Sequence, residues 1–592
     1  MDHRTIYEMF RDVASKKPEA TAGRYKGGGE WHDVSWAEHE ATTLAIAKAL
    51  LALGVEKGDR VGILSQTRIE WVQSDFGIVS CGAVSVGIYP SNLGPDCAYI
   101  LNHCEANVLI VENEDQLRKI LSVRGELTHL KQIVRIDGPG DPDNGVLSWK
   151  EFLGTGAPVP DADLEARAGS IEPDDLASLV YTSGTTGVPK GAMITHRNLL
   201  FTSWSVSESL LFEPQYVMLL FLPLAHVFAR LIVYVCTFNV ITIAYAESIQ
   251  KVADNLKEIR PEFIVSVPRI YEKVYDKITS GVEEAGGVKA RLFHWAVGVG
   301  RQVSVLQQAK RPIPGFLGLK HKLATKLVLG KIQAAFGGRL VYSISGAAPL
   351  NKEIAEFFHA CGVYILEGIG MTENTSFSNV NRYDNNKFGT VGPTGPGIEM
   401  KLADDGEVLF RGDNVVKGYY KNPDATAEAF GEDGWLHTGD MGEIDEDGFL
   451  RITDRKKDII VTAGGKNVAP QRIERILRTS HYLAQAVAIG DKRQFISALV
   501  TLDPESVPTW AKEKGIAFES VEDLASNPEV IKLIEAEVED KNRQLASFES
   551  VKKFRILPRD LSIESGELTP TLKIKRKVVL DKFGELVEGM YA

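Results

Sequence analysis

Apolar and polar positions along this chain fall into blocks that change period. Ser35 with Glu38 three residues on is a capping-box start, helix-forming residues continue to Leu53, and Gly54 stands where a helix stops. The apolar run RVGILS at 60–65 then predicts a buried strand. Runs of the same kind recur as LASLVYTS at 176–183 and FIVSVP at 263–268, so the first part of the chain predicts layered α/β architecture with largely parallel sheets. Beyond about Gly389, EMKLADDGEVLFRG and EIDEDGFLRI each set Asp-Gly between alternating runs, the pattern of antiparallel hairpins. After Asp454 the texture changes again. Pro470 opens a helix with Ile473, Ile476 and Leu477 on one face, AQAVAIG and FISALVTL are strand-like, and SNPEV at 526–530 opens a further helix. The expected fold is α/β: a large N-terminal domain with a β-rich subdomain, residues 1–454, and a small α+β domain, residues 455–592, jointed at TDRKKD, 453–458.

Residues 217–246 are apolar over a length that spans a bilayer, but Pro223, His226 and Arg230 interrupt the run. The reading adopted is a buried core segment. The 592 residues are too many for one core, and composition is that of a soluble multidomain protein, 44% hydrophobic and 25% charged. A net charge of −12 carries no nucleic-acid footprint, and it obliges any polyphosphate site to supply its own donors or a divalent metal. Five cysteines without a C-x-x-C spacing fit a reducing cytoplasm, and MDHRTIYEMF lacks the basic start and apolar run of a signal peptide.

Candidate chemistry concentrates in YTSGTTGVPKG, residues 181–191. Thr182, Ser183, Thr185 and Thr186 offer hydroxyls, Gly184, Gly187 and Gly191 offer backbone freedom, and Lys190 a cation. Glycines between two strand-like runs let successive amides converge on one anion, and the hydroxyls and ammonium add donors, so a polyphosphate is the suitable guest. The Walker spacing does not fit, because Pro189 stands five residues after Gly184 and Gly191 follows Lys190.

This loop resembles the phosphate loop of the adenylate-forming superfamily of acyl-CoA synthetases, aryl-CoA ligases, amino-acid adenylation domains and luciferases. PLAHVFAR at 223–230, SGAAPL at 345–350, EGIGMTE at 367–373, GWLHTGD at 434–440, the stretch 448–470 and TPTLKIKR at 569–576 follow in the family's order, so the likeness covers nearly the whole chain. The resemblance implies ATP-dependent, Mg²⁺-dependent activation of a carboxylic acid to an acyl-adenylate, then transfer to coenzyme A. It assigns the β- and γ-phosphates to Thr182, Ser183, Gly184, Thr185, Thr186 and Lys190, the α-phosphate to Thr372, and Mg²⁺ to Glu373. Gly346, Ala347, Glu367, Gly368, Ile369 and Ile452 would line the nucleotide, and Asp440 with Arg455 would clamp the ribose. Ile369 departs from the pattern, since relatives usually stack an aromatic ring on adenine there.

Lys573 matches the C-terminal catalytic lysine and Lys457 the hinge about which a mobile C-terminal domain turns, exchanging Lys573 for the loop of Gly464, Gly465 and Lys466, which would meet CoA. His226 and Gly370 match acyl-pocket positions; glycine at 370 is expected to leave room where acetate-activating relatives carry a bulky ring. Thr-Pro-Thr-x-Lys and the extra segment 281–331 resemble the long-chain fatty acyl branch. That segment is basic and amphipathic, either an ordinary surface helix or one that touches a membrane peripherally. Aryl- or medium-chain acyl-CoA ligase, a luciferase-like monooxygenase and a degenerate nucleotide-binding scaffold stay open as alternatives.

Overall fold

The computed structural model describes residues 3–182, 188–431, 433–569 and 573–592. Ser183, Gly184, Thr185 and Thr186 lie outside the described residues. Two largely parallel sheets form the N-terminal part. One is seven-stranded, in the order Val146–Ser148, Gln132–Arg135, Val108–Val111, Arg60–Leu64, Val84–Ile88, Leu176–Thr182, Lys190–Thr195, parallel until the last pair. The other has eight strands, with Val217–Leu220, Phe263–Ser266, Tyr342–Ser345 and Ile365–Ile369 as parallel neighbours at its centre. Their continuous Val, Ile and Leu content follows from burial on both faces. The expected helix start at Ser35 is present, with the reciprocal cap between Ser35 and Glu38 opening helix Trp36–Ala52.

Residues 217–246 resolve into the strand Val217–Leu220, the helix Val227–Phe238 and the strand Thr242–Tyr245, nearly all buried. Arg230 is the reason such a run tolerates a charge. Its guanidinium is 2% exposed and pairs with buried Asp75, which also accepts from the Tyr234 hydroxyl at 2.7 Å; Ser178, on the strand that leads into the 181–191 loop, is a further partner. Among the described residues no helix is long and apolar enough to cross a membrane.

The Asp-Gly hairpins build a four-stranded antiparallel sheet of Glu399–Leu402, Glu407–Arg411, Leu436–Ile444 and Leu450–Arg455. The C-terminal part follows with the hairpin Ile460–Val461 and Asn467–Val468, the helix Pro470–Leu477, and a three-stranded sheet of Leu483–Ile489, Ile496–Leu502 and Val551–Ile556. It packs around its own core, including Ile473, Leu477, Val500 and Ile534. All five cysteines are buried and unpaired. Desolvation pushes the thiols of Cys97, Cys104 and Cys361 up to about 12, and that of Cys81 up to about 11.

Candidate functional site

The carboxyl ends of the central parallel strands point their loops at one cleft, the usual place for ligands in open α/β sheets. The strand Leu176–Thr182 delivers the 181–191 loop. Tyr181 anchors its start through His103 Nδ1 at 2.7 Å, and the Tyr99 hydroxyl donates to Pro189 O at 3.0 Å near its end. The chain at 417–420 runs beside the strand Lys190–Thr195: Met193 N donates to Gly418 O and Tyr420 N to Gly191 O. This pairing lays the Tyr419 ring 5.1 Å from Lys190 Nζ, and the Tyr419 hydroxyl donates to Glu373 Oε1 at 2.5 Å. Burial and the Glu373 carboxylate raise the Tyr419 phenol, so it stays a donor. Tyr419 thus joins two expected site residues and was missed, because a tyrosine in VVKGYYKNP stands out by neither spacing nor charge.

Glu373 sits in a turn held against strain. Thr375 and Ser376 both adopt positive φ, 52° and 65°, costly for a β-branched residue in particular. Asn374 Oδ1 accepts from Met371 N at 2.8 Å, and the Thr375 hydroxyl donates to Asn414 O at 2.7 Å, fixing the turn from both sides. Thr372 is buried beside Glu373. No group of three or more His, Cys, Asp or Glu that could hold a metal occurs among the described residues. With Oε1 taken by Tyr419, Glu373 offers one oxygen, which suits a cation that draws its other ligands from phosphates and water, as Mg²⁺ does, and not a protein-only cage.

Asp440 and Arg455 face each other across neighbouring strands, Arg455 Nε lying 2.7 Å from Asp440 Oδ1. Burial raises the Asp440 carboxyl, against the pull of the Arg455 and Lys573 cations. Lys573, far along the chain, is therefore in the same cleft: it feels Arg455, Asp440 and Glu373, and it is the charge that His226 faces. The mass of protein around it and the Arg455 charge lower its ammonium pKa. The residue is nevertheless exposed to solvent, which damps that effect.

His226 caps the helix Val227–Phe238, its Nδ1 accepting from Phe228 N at 3.1 Å; desolvation holds the ring down to about 4, neutral at pH 7 with Nε2 as the donor. It borders a mostly apolar pocket of about 40 Å³ with Phe228, Gly346, Ala347, Ile369 and Phe377. Gly370, expected at the acyl pocket, lines this pocket too, and a Cβ on it would lie 2.0 Å from the Ser376 carbonyl carbon. The close approach of the backbone at Ser376 requires glycine there.

Gly368 ends the pairing of its strand with Asn379–Val380, and Glu367 is buried, its Oε2 accepting from Leu350 N at 3.3 Å, so that carboxylate ties two loops. Ile452 is half-buried on the last strand of the antiparallel sheet. Gly464, Gly465 and Lys466 form an exposed turn closed on Thr462, with Gly465 at φ 72°. Lys457 is exposed and pairs with Glu428 at 2.8 Å.

The model of the AMP-binding enzyme family matches residues 10–420, and that of the AMP-binding enzyme C-terminal domain matches residues 457–592. The chain is 41% identical over its full length to the long-chain-fatty-acid–CoA ligase FadD15 of Mycobacterium bovis, covering 97% of that protein. It is 30% identical to the long-chain-fatty-acid–CoA ligase ACSBG2 of Homo sapiens, over 99% of this chain and 92% of that one. Among solved structures, the adenylation domain of a carboxylate reductase from Mycobacterium chelonae is similar with a TM-score of 0.79 and 22% identity, covering 100% of this chain and 92% of that one. The anthranilate CoA ligase AuaEII, in complex with anthranoyl-AMP, is similar with a TM-score of 0.73 and 23% identity, over 99% and 98% of the two chains.

Proposed function

We propose, on the premise that this chain belongs to the AMP-binding enzyme family, that it is an AMP-forming long-chain fatty acid–CoA ligase. Full-length likeness to ligases of that name supports the substrate class. The observation that carries the chemistry is the gathering of Lys573, Asp440, Arg455 and Glu373 around one cleft.

In the first half-reaction a carboxylate oxygen of the fatty acid attacks the α-phosphorus of ATP, and the bond to pyrophosphate breaks. Two anions must approach, so the chain's cations decide the barrier. Lys573 neutralises charge between carboxylate and α-phosphate, with Thr372 donating beside it. Lys190 and the hydroxyls of 182–186 hold the β- and γ-phosphates. Asp440, paired with Arg455, accepts from the ribose hydroxyls. Gly346, Ala347, Gly368, Ile369 and Ile452 flank the base, an aliphatic cover that forgoes about 1 kcal/mol of ring stacking. Glu373, oriented by Tyr419, would hold Mg²⁺, which when bound supplies neutralising charge to the phosphate oxygens.

In the second half-reaction the thiol sulfur of CoA attacks the acyl carbon and AMP leaves with its electron pair. The thiol needs the space that Lys573 fills. Rotation about Lys457 withdraws Lys573 and brings in Gly464, Gly465 and Lys466, whose small residues admit the pantetheine arm and whose ammonium meets a CoA phosphate. Contact with a lipid surface, where long-chain acids reside, is peripheral in this reading.

The test separates the half-reactions. Lys573→Ala is expected to lower exchange of labelled pyrophosphate into ATP about 100-fold or more, while a supplied acyl-adenylate is still converted to thioester. Equal loss of both would sink the assignment of Lys573, and absence of thioester with every fatty or aryl acid offered would sink the ligase reading.

A further inference from the structure

Lys573 stands on a piece of chain whose footing is built around one enclosed charge. Glu567, in the same C-terminal stretch, is 0% exposed. Its carboxylate accepts from both amino groups of Arg559 at 2.9 and 2.6 Å, from Lys582 Nζ at 3.2 Å, from Ser562 N at 3.2 Å and from the Ser565 hydroxyl. Desolvation opposes the charge, yet these donors take the carboxyl down to about 2, so it is ionised at neutral pH. The main chain around it is tied as closely. Lys575 N donates to Glu567 O at 2.7 Å, Thr569 N to Lys573 O at 2.8 Å, and Lys573 N to the Thr569 hydroxyl at 3.0 Å, while Leu568 and Ile574 form an antiparallel bridge. Beyond Lys573, Arg576 donates to Glu474 Oε1 at 2.5 Å and to Ala488 O at 2.6 Å. Leu561, Leu568 and Val579 seat this footing on Val487, Ile489 and Leu499 of the three-stranded sheet.

A buried carboxylate held by ion pairs is seldom more stabilising than apolar packing of the same volume, so stability alone does not account for so many donors on one side chain. Lys573 supplies the complementary need. Its ammonium rides on a flexible four-carbon stem, so the site of its Cα governs where the charge falls, and a group that acts in a transition state must be placed to within about 0.5 Å. We infer that Glu567 is a positioning residue for adenylation, acting through the main chain at 567–569 and 573–575 to hold the Lys573 Cα at the cleft. The inference rests on the reading of Lys573 as the cation of the first half-reaction and adds what aims it.

Glu567→Gln in the full chain tests it, since the amide keeps the volume but sets a donor against donors. Pyrophosphate exchange is expected to fall about tenfold to 100-fold. The KM for ATP should stay within about twofold, because a misplaced transition-state cation lowers kcat and not ground-state binding. Conversion of supplied acyl-adenylate to thioester should keep its rate. In the Lys573→Ala background Glu567→Gln should cost nothing further, which a merely structural role would not produce. Arg559→Lys, which keeps the charge of a partly exposed donor and loses its fork, should show the same split to a smaller degree and carries the test if Glu567→Gln does not fold. Unchanged exchange, equal loss of both half-reactions, or a further loss on top of Lys573→Ala would each overturn the inference. Exchange that survives Lys573→Ala would instead sink the reading of Lys573 and the inference with it.

Discussion

Tyr419 shows how much one side chain decides. Its hydroxyl fixes Glu373 and its ring faces Lys190, so it sets the distance between the phosphate-loop cation and the carboxylate. A hydrogen bond to a charged group contributes about 1.5–3 kcal/mol. Tyr419→Phe is therefore expected to slow adenylate formation about tenfold to 100-fold in pyrophosphate exchange, leaving the melting temperature nearly unchanged. In the proposed mechanism Lys573 works only as a cation. Its lowered pKa means that adenylation fails on the alkaline side sooner than an ordinary lysine would dictate, which a pH–rate profile of the first half-reaction reads. Glu367 acts on stability. Burial pushes its carboxyl up to about 7 from 4.5, so the folded state holds a proton that the unfolded chain releases. Its contribution is full below 4.5 and is lost as pH rises through about 7, at about 1.4 kcal/mol per pH unit inside that window. Glu367→Gln should flatten the fall in melting temperature across the same interval.

At the level of elements, the strand Leu450–Arg455 ends just before Lys457, the hinge of the proposed rotation. The Lys457–Glu428 pair is largely exposed, worth well under about 1 kcal/mol, and so does not lock the turn. No hydrogen bond from Lys457 N occurs among the described residues, so a proline there removes no donor that this arrangement uses, while its fixed φ resists rotation. Lys457→Pro is expected to keep pyrophosphate exchange within about twofold and to cut conversion of supplied acyl-adenylate at least 100-fold. Elements were legible in the sequence wherever local chemistry wrote them: the cap at Ser35, the apolar runs that became parallel strands, the Asp-Gly hairpins. What stayed hidden depends on distant partners. Arg230 marked an interruption, but Asp75, which makes it tolerable in the core, lies 155 residues away. Tyr419 gains its place from pairing with the strand Lys190–Thr195, and Gly370 from backbone at 376, neither of which leaves a periodic trace.

Across the whole molecule, ion pairs bridge the two parts, at Arg455, Lys456 and Lys457 and again at Arg478. Arg478 of the C-terminal part pairs with Glu272 at 3.0 Å, and burial near His481 pushes the neighbouring Asp276 carboxyl up to about 6. Removing one partner of such a half-buried pair biases the arrangement by about 1 kcal/mol, or about fivefold. Glu272→Gln should accordingly slow the first half-reaction up to fivefold and spare conversion of supplied acyl-adenylate. The sequestered cysteines bear on the molecule's own safety. An activated acyl group is an acylating agent for any thiolate within reach, and here all five cysteines are buried, where desolvation favours the protonated thiol. The intact protein should therefore ignore maleimides until it unfolds, and it can hold its mixed anhydride without becoming the first molecule it modifies.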